Sequence, residues 1–382
     1  MKSHQVHLRS KGLAESSLQA FVELKPQVIL GFGDISWVMD SNFMKALRQH
    51  LPIESGFLGC STAGEITNQG LFDHSFVLTG IRFQAPDSKV QVVSQSIGEN
   101  QHLSGRQMGE QLKSSDLRGI FLMAPGLAMQ GSPFLNGLKE IVGEPVVVTG
   151  GLAGDNGKFK QTATFLEDQV FESRAVAVGF YGPKIEVKHG VRAGFRSFGG
   201  VRQITRARNH FVYEIDGRPA LEVYKEALGK HSDNLPQIGL MFPLAVLNNQ
   251  KSETGLIRGV LNVDEREDSL FLGGDVKDGT FFKLMRAENQ SLIAGAQEAA
   301  RDAALGVPSQ SFALMVSCIA RRFVMGEAVD DEIEAALLQM KSCENIAGFY
   351  AYGEFGPFFT QGDCQLHNQT MTIGLISEKS VA

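Results

Sequence analysis

Val28-Ile29-Leu30-Gly31, then Met44, Leu47 and Leu51 at helical spacing, then an apolar run into Gly59-Cys60-Ser61-Thr62-Ala63-Gly64-Glu65: this stretch decides the fold, because it comes back. The three helix positions return 91 residues later as Leu135, Leu138 and Val142. They are preceded by Ile120-Phe121-Leu122-Met123 and followed by Val146-Val147-Val148 and Gly150-Gly151-Leu152-Ala153-Gly154-Asp155. Ala-Gly-acid recurs 90 residues on, which pairs Glu65 with Asp155. Both copies continue into an alternating, strand-like segment, Phe72 to Phe83 and Phe171 to Tyr181, with Asp73 and Glu172 in matching places.

A third, more diverged copy closes the chain. It has a strand-like run from Phe312 to Cys318 and a helix from Asp331 to Lys341 with Ile333, Leu337 and Met340 inward. Gly348-Phe349-Tyr350 and the final segment Leu366-His367-Asn368-Gln369-Thr370-Met371-Thr372-Ile373 complete it. The unit reads strand, helix, strand, turn, strand. Helices covering one face of mixed sheets make a layered α/β (α+β) architecture, here expected as two domains built from internal repeats.

The division is expected between Arg206 and Asp216. Strand-like Phe211-Val212-Tyr213 runs into the turn Asp216-Gly217-Arg218-Pro219, and Leu221, Tyr224 and Leu228 then share one helix face before Gly229 stops it. This sets an N-terminal segment over 1–25, a first domain over 26–210 and a second over 211–378.

At 382 residues, 43% hydrophobic and 20% charged, the chain has the composition of a self-folding globular protein with more than one core. A net charge of −6 and a pI near 5.9 weigh against nucleic acid or anionic membrane as a partner, despite the local run Arg202, Arg206, Arg208. Residues 1–25 hold no signal-peptide core, and no apolar run has transmembrane length, so membrane insertion is not expected. Cys60, Cys318, Cys343 and Cys364 lack CxxC spacing, which fits a reducing cytoplasm better than a disulfide or zinc framework.

Several motifs occur in a fixed order: Gly59 to Ile66, Gly150 to Asp155, Tyr213-Glu214-Ile215-Asp216-Gly217-Arg218-Pro219-Ala220-Leu221, Ser317-Cys318-Ile319-Ala320-Arg321, Tyr352-Gly353-Glu354-Phe355-Gly356 and His367-Asn368-Gln369-Thr370. As an ordered set they resemble the N-terminal and C-terminal halves of the FIST family, over nearly all of the chain from about Pro26. One loop departs: Val191 and Ala193 stand where the family pattern carries Cys and Pro. The resemblance implies a sensory, ligand-binding protein for amino acids or related metabolites. Some stand-alone members are haem proteins that respond to nitric oxide and act on a histidine kinase. With no signalling domain after Ile376, output is expected to pass to a separate partner.

Gly59 to Gly64 has the glycine spacing of a phosphate loop, but Glu65 and Ile66 stand where that loop needs Lys and Ser/Thr. Glu65 and Asp155, presented on glycine turns, either hold an ammonium group or cap backbone N–H groups. Cys60, beside Ser61, is a nucleophile only if His74 or His367 lies near it; otherwise it is a small buried hydrophobe. An enzyme built on Cys60 is the alternative to a binding protein. Arg321, Glu354, His367 and Asn368 form the polar set of the last repeat, with Arg321 suited to a carboxylate and Glu354 or Asn368 to an amine. The competing reading is a structural Arg–Glu pair. His189 and His367 are the candidate axial ligands for haem, with 26 Phe available for an apolar pocket. No metal site is expected, as HExxH and paired CxxC motifs are missing from the sequence.

Overall fold

Three copies of the strand–helix–strand unit build three six-stranded mixed sheets in the computed structural model, which describes residues 1–13, 15–308, 310–357 and 364–379. At the centre of each sheet lie two parallel strands joined through a helix: Val28–Gly33 with Gly56–Ser61, Leu117–Pro125 with Val147–Ala153, and Ser311–Cys318 with Cys343–Ala351. The last strand of each repeat, Phe76–Arg82, Arg174–Tyr181 or Met371–Glu378, returns antiparallel beside the first.

The register makes the correspondence residue by residue. Phe32 faces Cys60, Met123 faces Gly151 and Val316 faces Phe349. On the other side the same three residues face Val77, Val176 and Thr372. The residue before each facing partner is glycine, and the reason is steric. A Cβ at Gly59, Gly150 or Gly348 would lie 1.7, 2.0 or 1.8 Å from the carbonyl oxygen of Gly31, Leu122 or Met315 on the parallel neighbour.

The short hairpin between the second and last strands does not stay in its own sheet. Glu65–Thr67 with Gly70–Phe72 joins the third sheet, beside Phe349. Thr164–Leu166 with Gln169–Phe171 joins the first, beside Cys60, and Glu354–Pro357 with Cys364–His367 joins the second, beside Gly151. The repeats thus exchange hairpins in a closed cycle.

Strand alternation sends one face of every sheet into a common core and the other under that repeat's own helices. Phe32, Leu58, Cys60, Phe121, Met123, Phe312, Val316 and Phe349 meet in the shared core. Phe43, Met44 and Leu47 cover the first sheet; Met108, Phe134, Leu135 and Leu138 cover the second; Leu292, Ala299 and Ile333 cover the third.

Between Ile185–Arg192, the edge strand of the third sheet, and helix Asn289–Ala304 lies a separate unit: an eight-stranded sheet from Arg196 to Arg286, covered by helix Ala220–Leu228. The helix face Leu221, Tyr224, Leu228 and the stop at Gly229, with φ +56, are as expected. The expected division at 210/211 falls within this unit, where Arg196–Arg208 and Phe211–Ile215 pair antiparallel. Strands from before and after it also share the second and third sheets. Residues 1–25 are not a separate prefix: Lys2–Leu8 is the edge strand of the first sheet, and the Met1 ammonium lies 3.2 Å from Glu378. Sequence repeats reveal which strands a unit contains; which sheet a hairpin joins is decided by tertiary packing. Among the described residues no helix is long and apolar enough to cross a membrane.

Candidate functional site

Glu65 opens its hairpin opposite Phe72 and is fully buried. Its carboxyl receives the Thr62 hydroxyl at Oε1, and the Ser75 N–H (3.2 Å) and hydroxyl (2.7 Å) at Oε2. Burial outweighs these bonds and pushes its pKa up to about 8, so the neutral acid prevails at pH 7. Glu354 repeats the arrangement: it opens its hairpin opposite His367, receives the Thr370 N–H (3.1 Å) and hydroxyl (2.8 Å), and burial raises it to about 8 as well. The residue in this place in the second repeat is Thr164, opposite Phe171, and not Asp155. A longer loop precedes the second hairpin, which is why Ala-Gly-acid spacing misaligned Asp155. That carboxylate instead caps the N–H groups of Phe159, Lys160 and Gln161 and accepts from the Tyr352 hydroxyl.

Cys60 points into the shared apolar core with no exposed surface, and burial drives its thiol well above the usual range. His74 stands outside, its Nδ1 3.0 Å from Asp34 Oδ2 and its side chain 72% exposed. Ser61 donates to the Gly154 carbonyl at 2.7 Å and accepts from Ala163 N–H at 3.1 Å, tying the first repeat to the second.

Arg321 is wholly buried and its guanidinium bonds to the Glu332 carboxylate (3.2 Å) and to the carbonyls of Gln369 (3.2 Å), Leu292 (2.9 Å) and Ala193. This is the structural Arg–acid pair weighed above, with Glu332 in place of Glu354. Asn368 is 6% exposed and packs beneath Gly273, where a Cβ would come within 3.2 Å of its Cγ.

His367 is fully buried, and burial lowers its pKa to about 4, leaving a neutral ring. Its Nε2 is 2.7 Å from the Gly356 carbonyl and so must carry the proton and donate. The space around Gly356 is filled by Thr372 and Val191, each within about 3 Å of where a Cβ would stand. His189 lies on strand Ile185–Arg192, opposite Gly374, and not on a glycine loop. In this arrangement His367 commits its Nε2 to the Gly356 carbonyl within a closely packed interior, which does not suit that nitrogen as an axial ligand. Among the described residues no three His, Cys, Asp or Glu side chains gather as a metal site. His367 also corresponds by register to Phe72, two residues before His74, so the two histidines are not equivalents.

A place where polar chemistry meets space lies elsewhere, between the intervening unit, helix Ser132–Val142 of the second repeat, and strand Cys364–His367 of the third. This cleft of about 490 Å³ is lined by Ser132, Asn136, Lys139, Glu140, Glu144, Arg258, Asp275, Lys277 and Gln365 among others. Arg258, at the end of strand Glu253–Arg258, is 5% exposed. Among the described residues its guanidinium donates only to carbonyls: Asp275 (3.2 Å), Ile257 (3.3 Å) and Leu366 (3.4 Å). Burial lowers its pKa to about 10, so it stays cationic at pH 7. The Asp275 carboxylate turns away, 3.1 Å from His210 Nε2. A buried guanidinium with no carboxylate bonded to it among the described residues, on the wall of a cleft, has the chemistry to receive an anionic group from outside.

Sequence reading missed Arg258, Asp275 and His210. The signal that pointed there was Gly273-Gly274, two glycines ahead of an acid: a Cβ at Gly274 would meet Arg258 Cζ at 2.8 Å, so the glycine permits the guanidinium's close approach.

Comparison with known proteins gives a match to the FIST N domain over residues 27–218 and to the FIST C domain over 220–357. The uncharacterized protein MJ1623 of Methanocaldococcus jannaschii is 22% identical over 272 residues, which is 65% of this chain and 51% of that protein; the chain thus spans about half the length of this relative. Cyanuric acid hydrolase from A. caulinodans aligns at TM-score 0.37 and 9% identity over 100% of this chain and 99% of its own. A chorismatase aligns at 0.37 and 8% over 98% of each. At such scores neither likeness bears on function. The two domain matches run in order and cover most of the chain, and the chain belongs to the FIST family, whose domains are generally sensory and ligand-binding.

Proposed function

We propose that this protein is a sensor that receives a small carboxylate-bearing metabolite, an amino acid or a close relative, in the cleft beside Arg258. The carrying observation is the Arg258 guanidinium itself, buried, cationic and bonded, among the described residues, only to carbonyls on the wall of a cleft of about 490 Å³. Its planar fork suits a carboxylate, while Glu140 across the cleft is already held by Arg106 at Oε1 and by His102, 3.2 Å from Oε2. The cleft joins the intervening unit to two of the three repeats, so an occupant touching all of them shifts their relative packing energy. A separate signalling protein, such as a histidine kinase, would read that change.

Isothermal titration of the purified protein against the amino acids and small dicarboxylates, with mass spectrometry of anything released on denaturation, tests the reading. A ligand should bind, and Arg258→Met should weaken it about 30-fold or more, the loss of a charge-assisted bond. Binding that Arg258→Met leaves unchanged overturns the assignment of the cleft.

A further inference from the structure

The loop on which Asp275 sits is tied down by the turn at Asn209-His210 and by Gly259. Leu272 N–H donates to the His210 carbonyl (2.8 Å), Val276 N–H to the Asn209 carbonyl (3.1 Å), and Gly273 N–H to the Gly259 carbonyl (2.9 Å). The His210 ring adds two contacts to this loop. Its Nε2 meets Asp275 Oδ1 at 3.1 Å and its Nδ1 meets the Leu272 carbonyl at 3.2 Å, both ring nitrogens facing acceptors.

Asp275 is the acid whose charge acts on Arg258, and its own backbone carbonyl receives Arg258 Nε. It lines the same cleft, and its charge acts on the guanidinium without bonding to it. Two basic groups therefore compete for one carboxylate, and His210 holds it. The other carboxylates lining the cleft, Glu140 and Glu144, belong to the helix of the second repeat and its end, on the far wall.

We infer that His210 is a specificity-determining residue of the cleft: by engaging the Asp275 carboxylate it keeps the internal anion off Arg258 and leaves that guanidinium for the carboxylate of a ligand. This rests on the cleft being the ligand site. His210 touches no ligand in this scheme; it acts through Asp275. Without the ring, Asp275 turns to Arg258 and becomes a tethered competitor for any anion of similar shape.

Inorganic phosphate serves as the anionic probe, titrated by calorimetry into the full chain. His210→Leu should weaken its binding about tenfold, and His210→Leu combined with Asp275→Asn should restore it, because the amide no longer competes for Arg258. A merely structural role for His210 predicts loss in both variants, so failure of the second change to restore binding overturns the inference. So does unchanged affinity in His210→Leu. A crystal structure of His210→Leu gives a readout independent of binding: an Asp275–Arg258 ion pair within about 4 Å is expected, and a carboxylate still turned away overturns the inference. If phosphate binds the parent protein no better than it binds Arg258→Met, the cleft assignment fails separately, while the structure of the variant still decides what His210 does.

Discussion

Glu65 and Glu354 hold the same place in two of the three repeats, each buried and each accepting both the N–H and the hydroxyl of the residue just ahead of the last strand, Ser75 or Thr370. Their ordinary values lie near 4.5 and burial raises both to about 8. A raised folded-state value means the native protein binds protons that the unfolded chain releases between those limits. The stabilising contribution is complete below about pH 4.5 and is lost as pH rises through about 8. Urea midpoints should therefore fall from pH 5 to pH 8.5. Glu65→Gln with Glu354→Gln, which keeps acceptor oxygens for Ser75 and Thr370, should flatten that slope. An unchanged slope in the double variant refutes the assignment.

Cys60 gives a sharper contrast between a binding protein and an enzyme. Its thiol is sealed in the core and held protonated, and the other three cysteines are buried as well. Iodoacetamide should leave Cys60 unlabelled in the folded protein over hours and label it fully in urea. Rapid, selective labelling of folded protein would restore the nucleophile reading.

Arg321 ties four segments together through Glu332 and the carbonyls of Ala193, Leu292 and Gln369. Arg321→Met should cost about 3–5 kcal/mol, mainly because Glu332 is left in the core without its partner. Arg321→Met with Glu332→Leu should recover part of that loss in urea denaturation. Equal losses in both variants would place the energy in the carbonyl bonds instead.

The contrast between what the sequence showed and what it hid follows from the range of the interactions. Helix and strand assignments rested on local periodicity, so the three repeats and the packing of Leu135, Leu138 and Ile333 were legible. Hairpin exchange was not: Glu65 pairs with Phe349 across 284 positions of chain, and nothing local encodes that choice. The candidate set Cys60, Ser61, Glu65, Asp155, Arg321, Glu354, His367 and Asn368 was legible because those residues belong to the motifs of the three repeats. That same repetition gave several of them internal partners. Arg258, Asp275 and His210 lie in the unit that does not repeat, where a lone arginine after an alternating strand looks like any solvated end.

Gly274 offers a change that perturbs the cleft without removing any of its charged groups. A Cβ there would stand 2.8 Å from both Cζ and Nε of Arg258 and 3.1 Å from Cδ. The backbone at 274 is not in the left-handed region, so alanine brings no strain of its own; the conflict is wholly with the guanidinium. Arg258 must shift by several tenths of an ångström, which stretches its 3.2 Å bond to the Asp275 carbonyl and moves its charge relative to the cleft wall. Overpacking of one methyl against a side chain that can move should cost about 1 kcal/mol of stability. Ligand affinity should fall further than that, by tenfold or more, because a fixed fork displaced from its acceptor loses both distance and alignment. Gly199→Ala is the control, at a glycine with nothing within 4 Å, although its φ of +70 brings backbone strain of its own. It should lower stability without changing affinity. Equal effects of the two substitutions on binding would show that Gly274 acts through general stability and not through Arg258.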